Sequence, residues 1–221
     1  TSSLTPTIVK ELFKGKPIYD KLISEPESLR PQAHDIITFW LFNTVVKSQL
    51  HFKVLPWKDC MISGWMLDPK GKKMSKSKGN VIEPRDMIEK YSADALRFMA
   101  GGSKLGDDLP FPEKEVMMGQ KTVTKLWNAS KFAIMHLEDY KKGKADLRLV
   151  DRWVLTKLHR LIKSTTENFE NYAFSAVRKD VDNFFWHVLS DNYLEIAKDR
   201  LYNPDVWGKD QRIAAQHTLY Q

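Results

Sequence analysis

The stretch GDDLPFPEKE, residues 106–115, divides the chain into two parts of different periodicity. Two prolines and clustered charge interrupt any regular element there. Before it, short apolar runs alternate with turn signals. After it, apolar residues recur at spacings of three, four or seven. Val123, Leu126, Trp127, Ile134 and Leu137 form one stripe, and Val154, Leu158, Leu161 and Thr165 a second. Val177, Val181, Phe184 and Val188 form a third, continued by Ile196 and Leu201. Such stripes make amphipathic helices. KKGKAD (141–146) and the NYAF region (171–174) separate them, so three long helices, or four, are expected to form a bundle over 112–221.

The first part reads differently. Asp59 to Leu67 has the character of a buried strand, ended by DPKG. DIITFWLFNTVVKSQL (35–50) reads as a helix opened by Asp35. EPRDMIEKY (83–91) reads as a short helix with Pro84 in its first turn, where a missing N–H is harmless. SADALRFMA (92–100) follows as another, with Ser92 as N-cap and Gly101–Gly102 as its stop. A strand, a glycine-flanked loop and short helices indicate part of an α/β domain over residues 1–111.

Between the strand and the short helices lies GKKMSKSKGN (71–80), with hardly an apolar side chain to bury. A Walker A loop would need a second glycine where Lys76 stands, so that phosphate cradle is excluded. Lysines on a bendable loop can swing over a polyphosphate and neutralise the charge that builds on a pyrophosphate leaving group. Ser75, Ser77 and backbone amides can bond phosphate oxygens. Charge alone favours an ordinary solvated surface loop. The chain as a whole carries +7 at neutral pH with a pI near 9.3, which favours a phosphate-rich partner. Cys60 is the only cysteine, so internal disulfides and a cysteine-rich structural zinc site are excluded, in keeping with a reducing cytoplasm. No apolar run reaches membrane-spanning length.

KMSKS, residues 73–77, resembles the second signature of the class I aminoacyl-tRNA synthetases. The surroundings match in family order. RPQAHDIITFW (30–40) is followed by GWMLDPKGKKMSKSKGNVIEP (64–84), YSADALRF (91–98), KLWNASKF (125–132), DRWVL (151–155) and FFWHVLSDNYLE (184–195). These segments are most similar to the valyl branch. The resemblance implies that residues 1–111 are the carboxyl part of a Rossmann-like nucleotide-binding domain and that 112–221 are an anticodon-binding helical domain. It implies ATP, accompanied by Mg2+, as a substrate rather than a tightly bound cofactor, with valine and tRNA(Val) as the other partners and no resident metal.

The resemblance also implies roles. Lys73 and Lys76 would carry the pyrophosphate charge, with Met74, Ser75 and Ser77 in the same ATP-binding loop. Gly64 would let the adenine lie against backbone, and Asp35 would face the ribose or the substrate ammonium. Ile36 and Trp40, four apart, would share a helix face and wall a small aliphatic pocket; ordinary core packing is the alternative. Such a pocket rejects threonine poorly, so an editing domain is expected in the whole enzyme. In the helical part, Phe132 resembles a position that stacks on an anticodon base, and Lys125, Asn128 and Lys131 offer base and phosphate contacts. Trp127 is expected in the core, the other reading of Phe132, and His187 and Asp191 form a supporting pair.

Two positions depart from the family pattern: Ala33 stands in place of glycine, and Ser63 in place of asparagine or histidine. The family's first signature does not occur in these 221 residues. The segment alone is therefore expected not to support ATP–pyrophosphate exchange. Two other readings stay open at this point: a sister enzyme for isoleucine, leucine or methionine, and a tRNA-binding relative without activation chemistry.

Overall fold

The computed structural model describes residues 2–221. It contains two compact units, Thr1–Val81 with Lys104–Phe111, and Ile82–Ser103 with Pro112–Gln221.

The first unit is α/β. Helices α1 (Thr5–Leu12) and α2 (Tyr19–Ser24) precede β1 (Glu27–Ala33), and α3 (Phe42–Phe52) joins β1 to β2 (Trp57–Ser63). The two strands pair in parallel, with Glu27 opposite Trp57 and Ala33 opposite Ser63. A parallel pair needs such a crossover, because the chain must return to the same end of the sheet. The strand expected over 59–67 is broken after Ser63. Met66–Leu67 (β3) pairs instead with Leu109–Pro110 (β4). The break has a local cause, since the Trp65 amide donates to the Asp108 carboxylate at 2.7 Å and turns the chain away from β1.

The helix expected over 35–50 is regular only in its second half. His34–Ile36 forms a 3-10 turn and Ile37–Leu41 a π-helical turn before α3 begins. Asp35 falls inside the 3-10 turn rather than at the start of a regular helix, and its carboxylate faces Lys73.

The second unit is helical. It comprises α4 (Pro84–Tyr91), α5 (Ala93–Ala100), α6 (Glu113–Leu137), α7 (Leu149–Glu170), α8 (Phe174–Asn183), a π-helical run Phe184–Leu194, α9 (Glu195–Tyr202), α10 (Pro204–Trp207) and α11 (Lys209–Tyr220). Pro84 occupies the first turn of α4, and the Ser92 hydroxyl caps α5 by accepting the Ala95 amide at 3.3 Å. The two short helices, read from sequence with the first part, belong to this unit. Glu113 ties them to α6 by accepting from Lys90 and from the Tyr91 hydroxyl, each at 2.7 Å. Gly119 lets α6 approach α5 closely, since a Cβ there would lie 2.7 Å from the Ala95 carbonyl.

Val154, Tyr193, Ala197, Leu201 and Ala215 form the core of the helical unit. At its centre the Asp151 carboxylate, fully buried, accepts from both Nη atoms of Arg200 at 2.7 and 3.0 Å and from the Tyr193 hydroxyl at 2.8 Å. It also accepts the Arg148 amide at the start of α7.

Candidate functional site

The carboxyl ends of β1 and β2 lie side by side, which brings His34–Asp35 next to Gly64–Trp65. In open α/β sheets ligands bind in the crevice outside these strand ends. Asp108 organises the floor. Its Oδ1 accepts from the Trp65 amide and lies 3.1 Å from His34 Nε2. The Trp65 amide first, and His34 second, hold the Asp108 carboxyl below the usual carboxylate range. The His34 and Trp65 rings lie 4.8 Å apart.

The lysine loop reaches this floor. Lys73 pairs across the loop base with Leu67. Its Nζ lies 3.7 Å from Asp35 Oδ2 and 3.6 Å from the centre of the Trp65 ring. The ammonium is therefore drawn by a carboxylate and by the negative face of an indole. Lys76–Lys78 forms a single 3-10 turn, and Ser75 and Ser77 place their hydroxyls 3.2 Å apart. Lys76 itself is exposed. The loop bends at Gly71 and Gly79, both with φ near +70°, a conformation that costs glycine nothing.

Packing within the chain itself also requires a glycine at position 64. A Cβ there would overlap the backbone carbonyl of Asp107. Gly64→Ala is expected to displace the 107–108 segment at a cost of about 1–3 kcal/mol, the usual penalty of overpacking. Urea unfolding measures this, and an unchanged midpoint would contradict the close approach.

Trp40 stacks on Trp57 with centroids 5.4 Å apart, carries the Arg30 guanidinium at 4.0 Å over its ring, and donates from Nε1 to the Ser2 carbonyl at 3.2 Å. Its ring is thus already engaged by protein groups. The same-face argument for Ile36 and Trp40 assumed a uniform α-helix, and the 3-10 and π turns at these residues remove that premise.

In the helical unit, Lys125, Asn128, Lys131 and Phe132 all lie on α6. Lys125 Nζ is 3.8 Å from Asp191 and 5.1 Å from the Trp186 ring centre. His187 Nδ1 lies 3.4 Å from the same Asp191, as the spacing of four predicts. Phe132 is half-buried against the core and meets His136 edge-on at 4.6 Å. Burial in this aromatic cluster pushes the His136 imidazole below its ordinary pKa. Trp127 reverses the expectation of a core residue: it is 74% exposed, and Ile134 on the same side is 70% exposed. Their stripe was wide enough to include residues on the solvent side of α6.

Residues 17–112 match the family model for tRNA synthetases class I (I, L, M and V), and residues 151–221 match that for the anticodon-binding domain of tRNA ligase. The valine–tRNA ligase of Picrophilus torridus is 44% identical over 203 residues, covering 91% of this chain and 26% of that protein. That of Methanocaldococcus jannaschii is 42% identical over 224 residues, covering 99% of this chain and 25% of that protein. The chain belongs to the class I tRNA synthetases.

The chain spans about a quarter of the length of the curated synthetases it matches. Two solved structures share its fold at low identity. Mycobacterium tuberculosis methionyl-tRNA synthetase, in complex with methionyl-adenylate, aligns with 94% of this chain and 42% of its own, with a TM-score of 0.66 at 18% identity. The Agrobacterium radiobacter K84 LeuRS in a ternary complex with tRNA and LeuAMS aligns with 87% of this chain and 25% of its own, with a TM-score of 0.62 at 16% identity. The α/β class followed by helices, expected from sequence, is the fold of this synthetase segment.

Of the residues singled out from sequence, the structure brings Lys73, Asp35 and the backbone of Gly64 to one end of the parallel pair. It does not bring Trp40 there with a free ring face. Three residues of this candidate site escaped sequence reasoning: Asp68, Asn80 and Asp108. Asp68 and Asn80 bracket the loop, and an aspartate or asparagine beside a glycine turn is the signal that points to them. Asp108 sits in the proline-rich junction, where nothing local marks it. No helix among the described residues is long and apolar enough to cross a membrane.

Proposed function

We propose that this chain supplies the ATP-phosphate loop and the anticodon-binding helices of a valine–tRNA ligase. The enzyme joins valine to AMP with release of pyrophosphate, then passes valine to tRNA(Val). The observation that carries this reading is Lys73, held at the carboxyl ends of β1 and β2 beside Asp35 within a KMSKS sequence. The ATP triphosphate, with its Mg2+, would draw Lys73 away from Asp35. That exchange frees the carboxylate for the ribose or the valine ammonium as the ammonium moves onto phosphate. Lys76, Ser75 and Ser77 add charge and donors from the same loop, and Met74 lies between Lys73 and Ser75. The two lysines oppose the charge that grows on the departing pyrophosphate, so they act on the transition state more than on bound ATP. The family resemblance, rather than a shared helix face, supports Ile36 and Trp40 as walls of an aliphatic pocket for valine. Valine rather than a sister amino acid is supported by the relatives at 42–44% identity.

Amino-acid-dependent ATP–pyrophosphate exchange by the full-length protein tests the reading. Valine is expected to support exchange well above isoleucine, leucine or methionine. Preference for one of those three would make the chain part of a sister enzyme, and no exchange with any would favour a tRNA-binding relative.

The helical unit binds the tRNA. Lys125 and Asn128 would meet phosphates and base edges from one side of α6, and the exposed Trp127 offers a ring for stacking on the side that carries Lys131. Phe132 stands deeper, where its resemblance to a base-stacking position competes with its packing on the core. Trp127→Ala is expected to weaken binding of valine tRNA by roughly 5- to 150-fold, the worth of one base–aromatic stack, with stability unchanged. Phe132→Ala is expected to cost about 1–2 kcal/mol of stability, as for a half-buried ring. A gel shift and a urea titration on each variant decide between them. Full affinity in Trp127→Ala, with loss confined to Phe132→Ala, would return the stacking role to Phe132.

A further inference from the structure

Asp68 is an aspartate in the first unit with almost no access to solvent, 6% exposed, yet it faces no cation at ion-pair distance among the described residues. Its oxygens are spent on the lysine loop. Oδ1 accepts the amides of Lys70 and Lys72 at 2.9 and 2.8 Å. Oδ2 accepts from Asn80 Nδ2 at 2.9 Å. Asn80 passes the constraint on: its Oδ1 accepts the Ser75 amide at 3.0 Å, and its Nδ2 also reaches the Lys73 carbonyl at 3.3 Å. Two side chains twelve positions apart thus grip the outgoing arm of the loop, its return arm and its middle. The Asp68 backbone joins in, its amide donating to the Lys72 carbonyl at 2.8 Å and its carbonyl accepting from Gly71. Between these anchors the chain carries two positive-φ glycines, Gly71 and Gly79, and five residues from Lys73 to Ser77. Those glycines would otherwise let it sample many positions.

We propose that Asp68 and Asn80 form a clasp that fixes the path of the lysine loop, and that Asp68 is a positioning residue acting through the amides of Lys70 and Lys72 and through Asn80 on Ser75 and Lys73. Neither side chain touches substrate in this account. The clasp sets where the Lys73 and Lys76 stems start, so it governs how often their ammonium groups meet the leaving pyrophosphate. This consequence rests on the function proposed above, whereas the clasp itself does not. A buried carboxylate whose acceptor capacity is met by loop amides is a support for a site, because the loop cannot leave without stranding it. Hydrogen bonds from Asn80 and from the Lys72 amide hold the Asp68 carboxyl below the usual carboxylate range, as such spending of its oxygens requires.

The chemistry of the pair gives a reciprocal test. Asp68→Asn sets an amide NH2 against the NH2 of Asn80, and Asn80→Asp sets two carboxylates together. The double exchange, Asp68→Asn with Asn80→Asp, restores a donor facing an acceptor and keeps an oxygen for the Ser75 amide, giving up only the longer bond from position 80 to the Lys73 carbonyl. Hydrogen exchange at Lys72 and Ser75 and single-turnover valyl-adenylate formation are measured on all four forms of the full-length protein. Each single variant is expected to speed exchange at Ser75 about 10-fold and to slow adenylate formation about 10-fold, with KM for valine unchanged, as misplacement of a loop should. The double variant is expected to recover most of both. The proposal is overturned by unchanged exchange at Ser75 in the single variants, by faster exchange spread over all amides, or by faster Ser75 exchange with full adenylate formation. A double variant no better than the worse single also overturns it. If the wild-type protein activates no valine, the functional reading falls, and the exchange data still decide the clasp.

Discussion

Asp151→Ala is expected to destabilise the helical unit by about 3–5 kcal/mol, the usual cost of removing one partner from a buried ion pair. The size follows from what the substitution strands. Arg200 is 1% exposed, and both of its Nη atoms bond the Asp151 carboxylate. Its Nε has no partner among the described residues. Without the carboxylate, a full positive charge remains in the core beside the Tyr193 hydroxyl, and the first turn of α7 loses the acceptor for the Arg148 amide. For a chain of this size that loss lowers the thermal midpoint by roughly 6–20 °C. Replacing Asp151 and Arg200 together by apolar residues of similar volume is expected to recover most of the loss, because no charge is then left unpaired. The pH dependence has a definite sign. Burial pushes the Asp151 carboxyl up, but hydrogen bonds from Arg200 and Tyr193 and the guanidinium charge outweigh it, so the group titrates below its unfolded value. Its contribution is therefore complete above about pH 4, the unfolded carboxylate pKa, and is lost as pH falls through the lower folded value. Urea titration of the single and double variants at neutral pH checks the account; a cost below about 1 kcal/mol for Asp151→Ala would contradict it.

The features legible in the sequence were those fixed by local chemistry. Pro84 and Ser92 start their helices as their side chains dictate. The apolar stripes gave the long helices, because helical spacing is a property of each segment alone. The lysine loop was visible because glycines and charge need no neighbour to be recognised. What was not legible depends on distant partners. Asp35 was read as opening a long helix and instead lies in a 3-10 turn, its carboxylate facing Lys73, thirty-eight positions on. The strand after Asp59 was read through to Leu67, and Asp108 captures the Trp65 amide to end the first ladder early. Trp127 carries the right spacing for the core, but spacing names a stripe and not the side of it that finds a neighbour. The Asp151–Arg200 pair spans forty-nine positions, and no pattern in either segment announces it.

The largest chemical effect is expected at the loop. Lys73 reaches the strand ends, and Lys76 lies exposed on the single helical turn beyond it. In the proposed reaction each would supply one positive charge to a group that gains negative charge as it leaves. Loss of one such preorganised contact costs about 100- to 1,000-fold in rate. Because the charge grows only in the transition state, the loss belongs in kcat rather than in valine binding. The ring of Trp65 and the Asp35 carboxylate hold Lys73 in the structure, so its removal also leaves Asp35 without its partner. Among the described residues Lys76 has no such ion pair or ring contact, so its variant would report on the proposed transition-state charge alone.

Single-turnover valyl-adenylate formation by the full-length protein, with Lys73→Ala and Lys76→Ala made separately, tests this most directly. A fall of about 100-fold or more in each rate, with the KM for valine unmoved, is the predicted result. Adenylate formation at the wild-type rate in both variants would show that the loop does not serve the departing pyrophosphate.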